Sequence, residues 1–137
     1  MTPNTPNDVP SLADFIGACD ASFAFLILEY GFVRVAETME HRPFGVRYRK
    51  GELAVDVYGE SYGKTAACAL LRGSDRFDLV WMLPTEERKP LPKGQLEQVA
   101  ALAAQVEKHA SDFLRGDTAR YDAALAEWNR KRPRPPQ

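Results

Sequence analysis

Two histidines stand in this chain, His41 in "MEHRPF" and His109 late in a helix-like run beside Lys108. Neither has a second His, a Cys or a carboxylate at the spacing of HxxxH or HExxH, so the pattern points to no metal site. The two cysteines, Cys19 in "IGACDASF" and Cys68 in "TAACALL", lie 49 positions apart inside apolar runs. They form no CxxC pair and read as buried thiols serving as small hydrophobes. "GESYG" (59–63) has the outline of a nucleophile elbow. An elbow needs a strand-to-helix turn in a parallel sheet, and the flanks here read as an antiparallel hairpin. Glu86 and Glu87 fall in a proline-rich linker, where paired carboxylates are solvated surface. Apart from that stretch no GxSxG occurs, and there is no Walker loop or GxGxxG. No cofactor is expected, and a role without catalysis is favoured.

The residues left for chemistry are those of recognition. Phe44–Lys50 and Glu52–Tyr58 flank a Lys50-Gly51 dipeptide. Taken as a two-residue turn, it pairs Tyr48 with Leu53, Val46 with Val55 and Phe44 with Val57 on one face. Arg49 then opposes Glu52 on the other. A longer loop with a shifted register is the alternative. Arg47, Arg49, Asp56 and Tyr58 project from the side opposite the apolar pairs, and Glu60 and Tyr62 extend the group at the turn "YGESYGK". Mixed charge with tyrosine makes a protein-binding surface, because Tyr and Arg are enriched at binding hot spots. A sheet face that is simply wet is the plainer alternative.

The hairpin sits between helices. Ser11 is placed to cap a helix whose third residue is Asp14. Leu12, Phe15, Ile16, Cys19, Phe23, Leu26, Ile27 and Tyr30 form its apolar stripe, and Gly31 ends it. Further strands are expected at 32–40, 65–71 and 77–83, with turns at "YGESYGK" and "RGSDR". After the linker "PTEERKPLPKG", residues Leu96, Val99, Ala103, Val106, Ala110 and Phe113 recur at helical spacing. A shorter helix over about 118–130 carries Tyr121, Leu125 and Trp128 on one side. Between these two helices lies Arg115-Gly116-Asp117. Gly116 ends the first helix in a left-handed conformation, Asp117 caps the second, and Arg115 is left without a structural role.

The fold class that follows is α+β: an N-terminal helix, a five-stranded antiparallel meander sheet, and two C-terminal helices packed on one sheet face. At 137 residues there is room for one domain. It is expected over 11–130, with flexible tails at 1–10 and 131–137 that are rich in proline. A formal net charge of −1 gives no global attraction to nucleic acid or to an anionic membrane, and "KRPRPP" reads as a solvated tail. The longest uncharged apolar run, Ala21–Leu28, is far shorter than the ~20 residues of a membrane span. The opening residues show neither a basic n-region nor an apolar h-region, so a cytoplasmic location is expected.

"FLILEYGF" (25–32) and "DFLRGDTARYDAAL" (112–125) together resemble a group of small uncharacterised bacterial proteins, some of them similar to immunity proteins of bacterial toxins. The resemblance covers about 20 of the 137 residues and carries over no catalytic residue. It implies a stoichiometric protein-binding role. The expected function is therefore a small, non-enzymatic protein-binding domain. A small-molecule site between sheet and long helix, where Ala66, Ala67 and Ala69 leave room, is the alternative, and a homodimer is a third arrangement.

Overall fold

The computed structural model describes residues 11–35, 45–60 and 64–131, and for Glu60 the backbone alone. The expected tail 1–10, the segment 36–44 with His41 and Phe44, and residues 61–63 and 132–137 lie outside the described residues.

Helix α1 (Leu12–Ser22) opens on a reciprocal capping box: Asp14 N–H donates to Ser11 Oγ at 3.1 Å, and Ser11 N–H donates to Asp14 Oδ2 at 3.3 Å. The expected single helix to Tyr30 is two. The chain leaves helical geometry at Phe23 (φ −101°, ψ 14°) and resumes as α2 (Ala24–Leu28). No glycine or proline marks this break. Phe23 is fully buried and stacks on Tyr48 with ring centroids 5.9 Å apart, so packing fixes the bend. Gly31 takes φ 79°, in the left-handed region expected of it.

The sheet is a five-stranded antiparallel meander in chain order: β1 (Val33–Arg34), β2 (Gly45–Lys50), β3 (Leu53–Glu60), β4 (Thr65–Arg72) and β5 (Asp75–Asp78). The β2–β3 register differs from the expected one by two residues. Lys50 pairs with Leu53, Arg49 with Ala54, Tyr48 with Val55, Arg47 with Asp56 and Val46 with Val57. Gly51 and Glu52 form the turn, with Gly51 at φ 60°, the positive value that primed hairpin turns need at their first central residue. A shift of two keeps every side chain on its expected face. It changes the partners, so Arg49 no longer meets Glu52 and Arg47 now meets Asp56. The fifth strand is also shorter than expected. Beyond Asp78 the chain turns into a 3-10 helix over Leu79–Met82, started by Val80 N–H donating to Asp78 Oδ1 at 2.9 Å.

Because β5 reaches only as far as Ala69, the backbone of Thr65–Cys68 runs past the last strand. Helix α3 (Gln95–His109) meets that need. Gln98 Oε1 accepts from Ala66 N–H at 2.8 Å, and Gln95 Nε2 donates to the Thr65 carbonyl at 2.9 Å. Both glutamines are buried, in a stripe that continues through Val99, Leu102, Ala103 and Val106, while Leu96 is half-buried. The expected long helix breaks at Ala110 and continues as α4 (Ser111–Leu114). Asp117 N–H then donates to the Asp112 carbonyl and Gly116 N–H to the Phe113 carbonyl, with Gly116 at φ 96°. This double bond pattern is a Schellman closure. Helix α5 (Ala119–Lys131) begins one residue later than expected, and Asp117 Oδ1 accepts from Ala119 N–H at 3.2 Å.

Helices α3 and α5 pack on one face of the sheet. Tyr121 of α5 stacks on Phe113 and leans on Phe77 of β5, and its hydroxyl donates to the Asp75 carbonyl. The buried core joins Phe15, Cys19 and Phe23 to Tyr48, Val55, Val57, Cys68 and Leu70. Among the described residues no helix is long and apolar enough to cross a membrane.

Candidate functional site

Strand alternation divides the sheet chemically. One face supplies the core. The other carries Arg47 and Arg49 from β2, Ala54, Asp56 and Tyr58 from β3, Ala67, Ala69 and Leu71 from β4, and Arg76 and Asp78 from β5. Ala54, Tyr58 and Ala69 are buried yet stand apart from the helix-lined core, so this second face has a cluster of its own.

Asp56 is its centre, with no solvent exposure. Arg47 grips it with two bonds, Nε to Oδ1 at 2.6 Å and Nη2 to Oδ2 at 2.8 Å. Arg76 reaches Oδ2 from two strands away with Nη1 at 2.6 Å, and its guanidinium lies over the Tyr58 ring, 5.4 Å from the centroid. A buried carboxylate stays charged only when paired and hydrogen-bonded, and three charge-assisted bonds supply that pairing. The hydrogen bond to Asp56 in turn holds the Arg47 guanidinium above its ordinary pKa. Among the described residues, Arg76 Nη2 is buried without a hydrogen-bond partner.

Of the expected binding residues, the structure brings Arg47, Asp56 and Tyr58 together. Arg49 lies on the same face, exposed and opposite Ala54. Glu60 closes β3 opposite Thr65, and Tyr62 lies outside the described residues. Arg76 was not among them, because "RGSDR" reads as turn. The signal that marks it is its neighbour. Phe77 must face the core, so Arg76 must face the other way.

The groups that could do covalent chemistry are otherwise engaged. Burial pushes the Cys19 thiol up to about 12 and the Cys68 thiol well above its usual value, so both stay protonated. Burial, with Asp20 beside it, also raises Tyr48, whose hydroxyl donates to Asp20 Oδ1 at 3.0 Å. Among the described residues no three of His, Cys, Asp and Glu come together as a metal site requires. A cavity of about 120 Å³ lies where the expected alternative placed one, lined by Ala66, Ala67 and Cys68 of β4, Leu102 and Gln105 of α3, and Arg88 of the linker. It is smaller than the ~300 Å³ at which pockets begin to hold drug-sized ligands. Neither Arg47 nor Tyr58 lines it. An open groove of about 310 Å³ also runs between the β4–β5 turn and α5, past Ser74, Leu125, Trp128 and Asn129.

The two motifs behind the resemblance meet in space. Arg115 lies over the Tyr30 ring, 5.6 Å from its centroid. Lys50 bridges Phe32 and the Leu114 carbonyl, 5.8 Å above the ring and 3.2 Å from the oxygen. No protein-family model, curated protein or solved structure matches the chain.

Proposed function

We propose that this protein is a non-enzymatic protein-binding domain whose contact surface is the sheet face opposite the helices. The observation that carries this reading is the ion cluster on that face, Arg47 and Arg76 locked onto Asp56 beside Tyr58. Salt-bridged and stacked side chains have little rotamer entropy left to lose on binding, and Arg and Tyr are the residue types that anchor interfaces. Both Asp56 oxygens are already committed to guanidinium donors, which suits an orienting role better than proton transfer. The stoichiometric role implied by the resemblance to immunity-like proteins agrees with this reading.

A photoreactive amino acid placed at Arg49 on this face, and separately at Glu107 on the exposed side of α3, tests it in the source cell. A partner crosslinked from position 49 and absent from position 107, then reconstituted from purified components, supports the reading. Crosslinks of equal strength from both positions, or a partner that forms only from 107, overturn it.

A further inference from the structure

We infer that the cavity beside β4 binds a small zwitterion, an amino acid with a short aliphatic side chain. This site goes beyond the binding reading above and stands on other residues. It exists because β5 stops at Asp78, opposite Ala69, and leaves the edge of β4 open at Ala66, Ala67 and Cys68. The linker crosses that edge as a strap pinned to α3 on either side of the cavity. Glu87 is held by Lys108 at 3.2 Å, and the Pro92 carbonyl accepts from Gln98 Nε2 at 2.9 Å. Between the two pins Arg88, Lys89 and Leu91 line the space, so its walls are in place before a ligand arrives. The small residues of β4 leave a volume of about 120 Å³. That is close to the ~150 Å³ cavity that takes up one benzene molecule, so a side chain of about three or four carbons fits.

The charges around this cavity are of both signs. Arg88, half-buried, and Lys89, exposed, come from the strap, and Asp78, exposed, from the end of β5. Among the described residues no ion pair joins Asp78 to either cation. Asp78 Oδ1 accepts from Val80 N–H, while Arg88 donates Nε to the Leu83 carbonyl at 3.0 Å and lies 5.3 Å from the Trp81 centroid. None of these contacts neutralises a charge. The neighbouring charges are engaged elsewhere, Arg76 by Asp56 and Glu87 by Lys108, and Glu86 is exposed and outside the lining. A purely anionic ligand would meet the Asp78 carboxylate, and a purely cationic one would meet Arg88 and Lys89. A zwitterion satisfies all three: its ammonium donates to Asp78, and its carboxylate accepts from Arg88 and Lys89. Its aliphatic group then faces Leu83, Leu91 and Leu102.

The test is a titration of the full chain, followed by NMR of the backbone amides, with L-valine and with its two halves: isovalerate, which lacks the ammonium, and isobutylamine, which lacks the carboxylate. L-Valine should shift the amides of Ala66, Ala67, Cys68 and Leu102 and bind about tenfold tighter than either half, each of which loses a charge-assisted hydrogen bond. L-Tryptophan, too large for the cavity, should leave those amides unmoved. Asp78→Asn keeps a side-chain cap on the 3-10 helix Leu79–Met82 and removes the charge. It should weaken L-valine about tenfold and leave isovalerate no weaker. Lys89→Gln, at an exposed position, carries the test independently: L-valine and isovalerate should weaken about threefold while isobutylamine is spared. Either half binding as tightly as L-valine makes the site one for a simple anion or cation and overturns the inference. So do variants that weaken all three probes alike, L-tryptophan binding as well as L-valine, or β4 amides unmoved by L-valine even at millimolar concentration. None of these outcomes bears on crosslinking from position 49, so the two readings stand or fall separately.

Discussion

The same strands build both faces of this sheet, yet the two faces are stabilised by different physics. Toward the helices, Phe15, Phe23, Tyr48, Val55 and Leu70 fill a continuous apolar core, with Tyr48 keeping a single polar tie to Asp20. On the opposite face a carboxylate is just as thoroughly excluded from water, and what surrounds it is ionic. Apolar burial is non-directional and tolerates small shifts, whereas the Asp56 cluster depends on three short bonds of fixed direction. The first kind of face holds a fold together. The second holds particular groups in particular places, which is what recognition needs.

Breaking the core face should cost the most. Phe23→Ala removes a fully buried ring that stacks on Tyr48, and a loss of about 3–5 kcal/mol is expected from chemical denaturation. The same face should also be sensitive to alkali. Cys19 has a folded-state pKa of about 12 against an ordinary 9.0, so the folded state holds the proton more tightly than the unfolded chain does. Its contribution is whole below pH 9 and drains away as pH climbs toward 12, by a few kcal/mol at most. Urea midpoints followed from pH 8 to 11 should fall, and Cys19→Ala should flatten that slope. A slope unchanged in Cys19→Ala would place the effect on Cys68 or Tyr48 instead.

Asp56→Asn probes the other face. It keeps the shape and leaves two guanidiniums without their counter-charge. A fully buried pair broken this way costs about 3–5 kcal/mol, but Arg47 and Arg76 retain 26% and 33% of their side-chain surface in water. About 2 kcal/mol is the expected loss for this variant. The sharper outcome is the contrast: Phe23→Ala should lower stability and spare binding per folded molecule, and Asp56→Asn should impair both.

How much of this was legible in the sequence differs between the two faces. Face assignment follows from alternation, and Val46, Tyr48 and Val55 lie where alternation puts them. Cross-strand partners depend on which residues make the turn, and Gly51 sits first in it, a shift of two that periodicity cannot detect because two is its own period. That shift turns Arg47 and Asp56 from residues on one face into an ion pair. Arg76 completes the cluster from a strand that begins inside what reads as a turn. The helix breaks at Phe23 and Ala110 were hidden for a related reason: the apolar spacing runs through both, and only tertiary packing bends the chain there. Gln95 and Gln98 were hidden because an apolar stripe skips polar residues, though their task is set by where β5 stops.

The joint at Arg115-Gly116-Asp117 supplies the two smallest effects. Gly116 has φ 96° and open space around the position of a Cβ, so Gly116→Ala should cost about 1–2 kcal/mol through backbone strain alone. Arg115, the residue without an expected role, lies over Tyr30. An exposed cation–π contact contributes about 0.5–1 kcal/mol, so Arg115→Ala should lower stability by no more than that. A double-mutant cycle with Tyr30→Leu separates the two readings of the triplet. If the coupling energy matches the Arg115→Ala loss, the arginine is a clasp between the two joints, and the triplet is a structural turn throughout. If Arg115→Ala leaves stability unchanged yet reduces partner binding, the joint belongs to the recognition surface and the division of labour between the two sheet faces is incomplete.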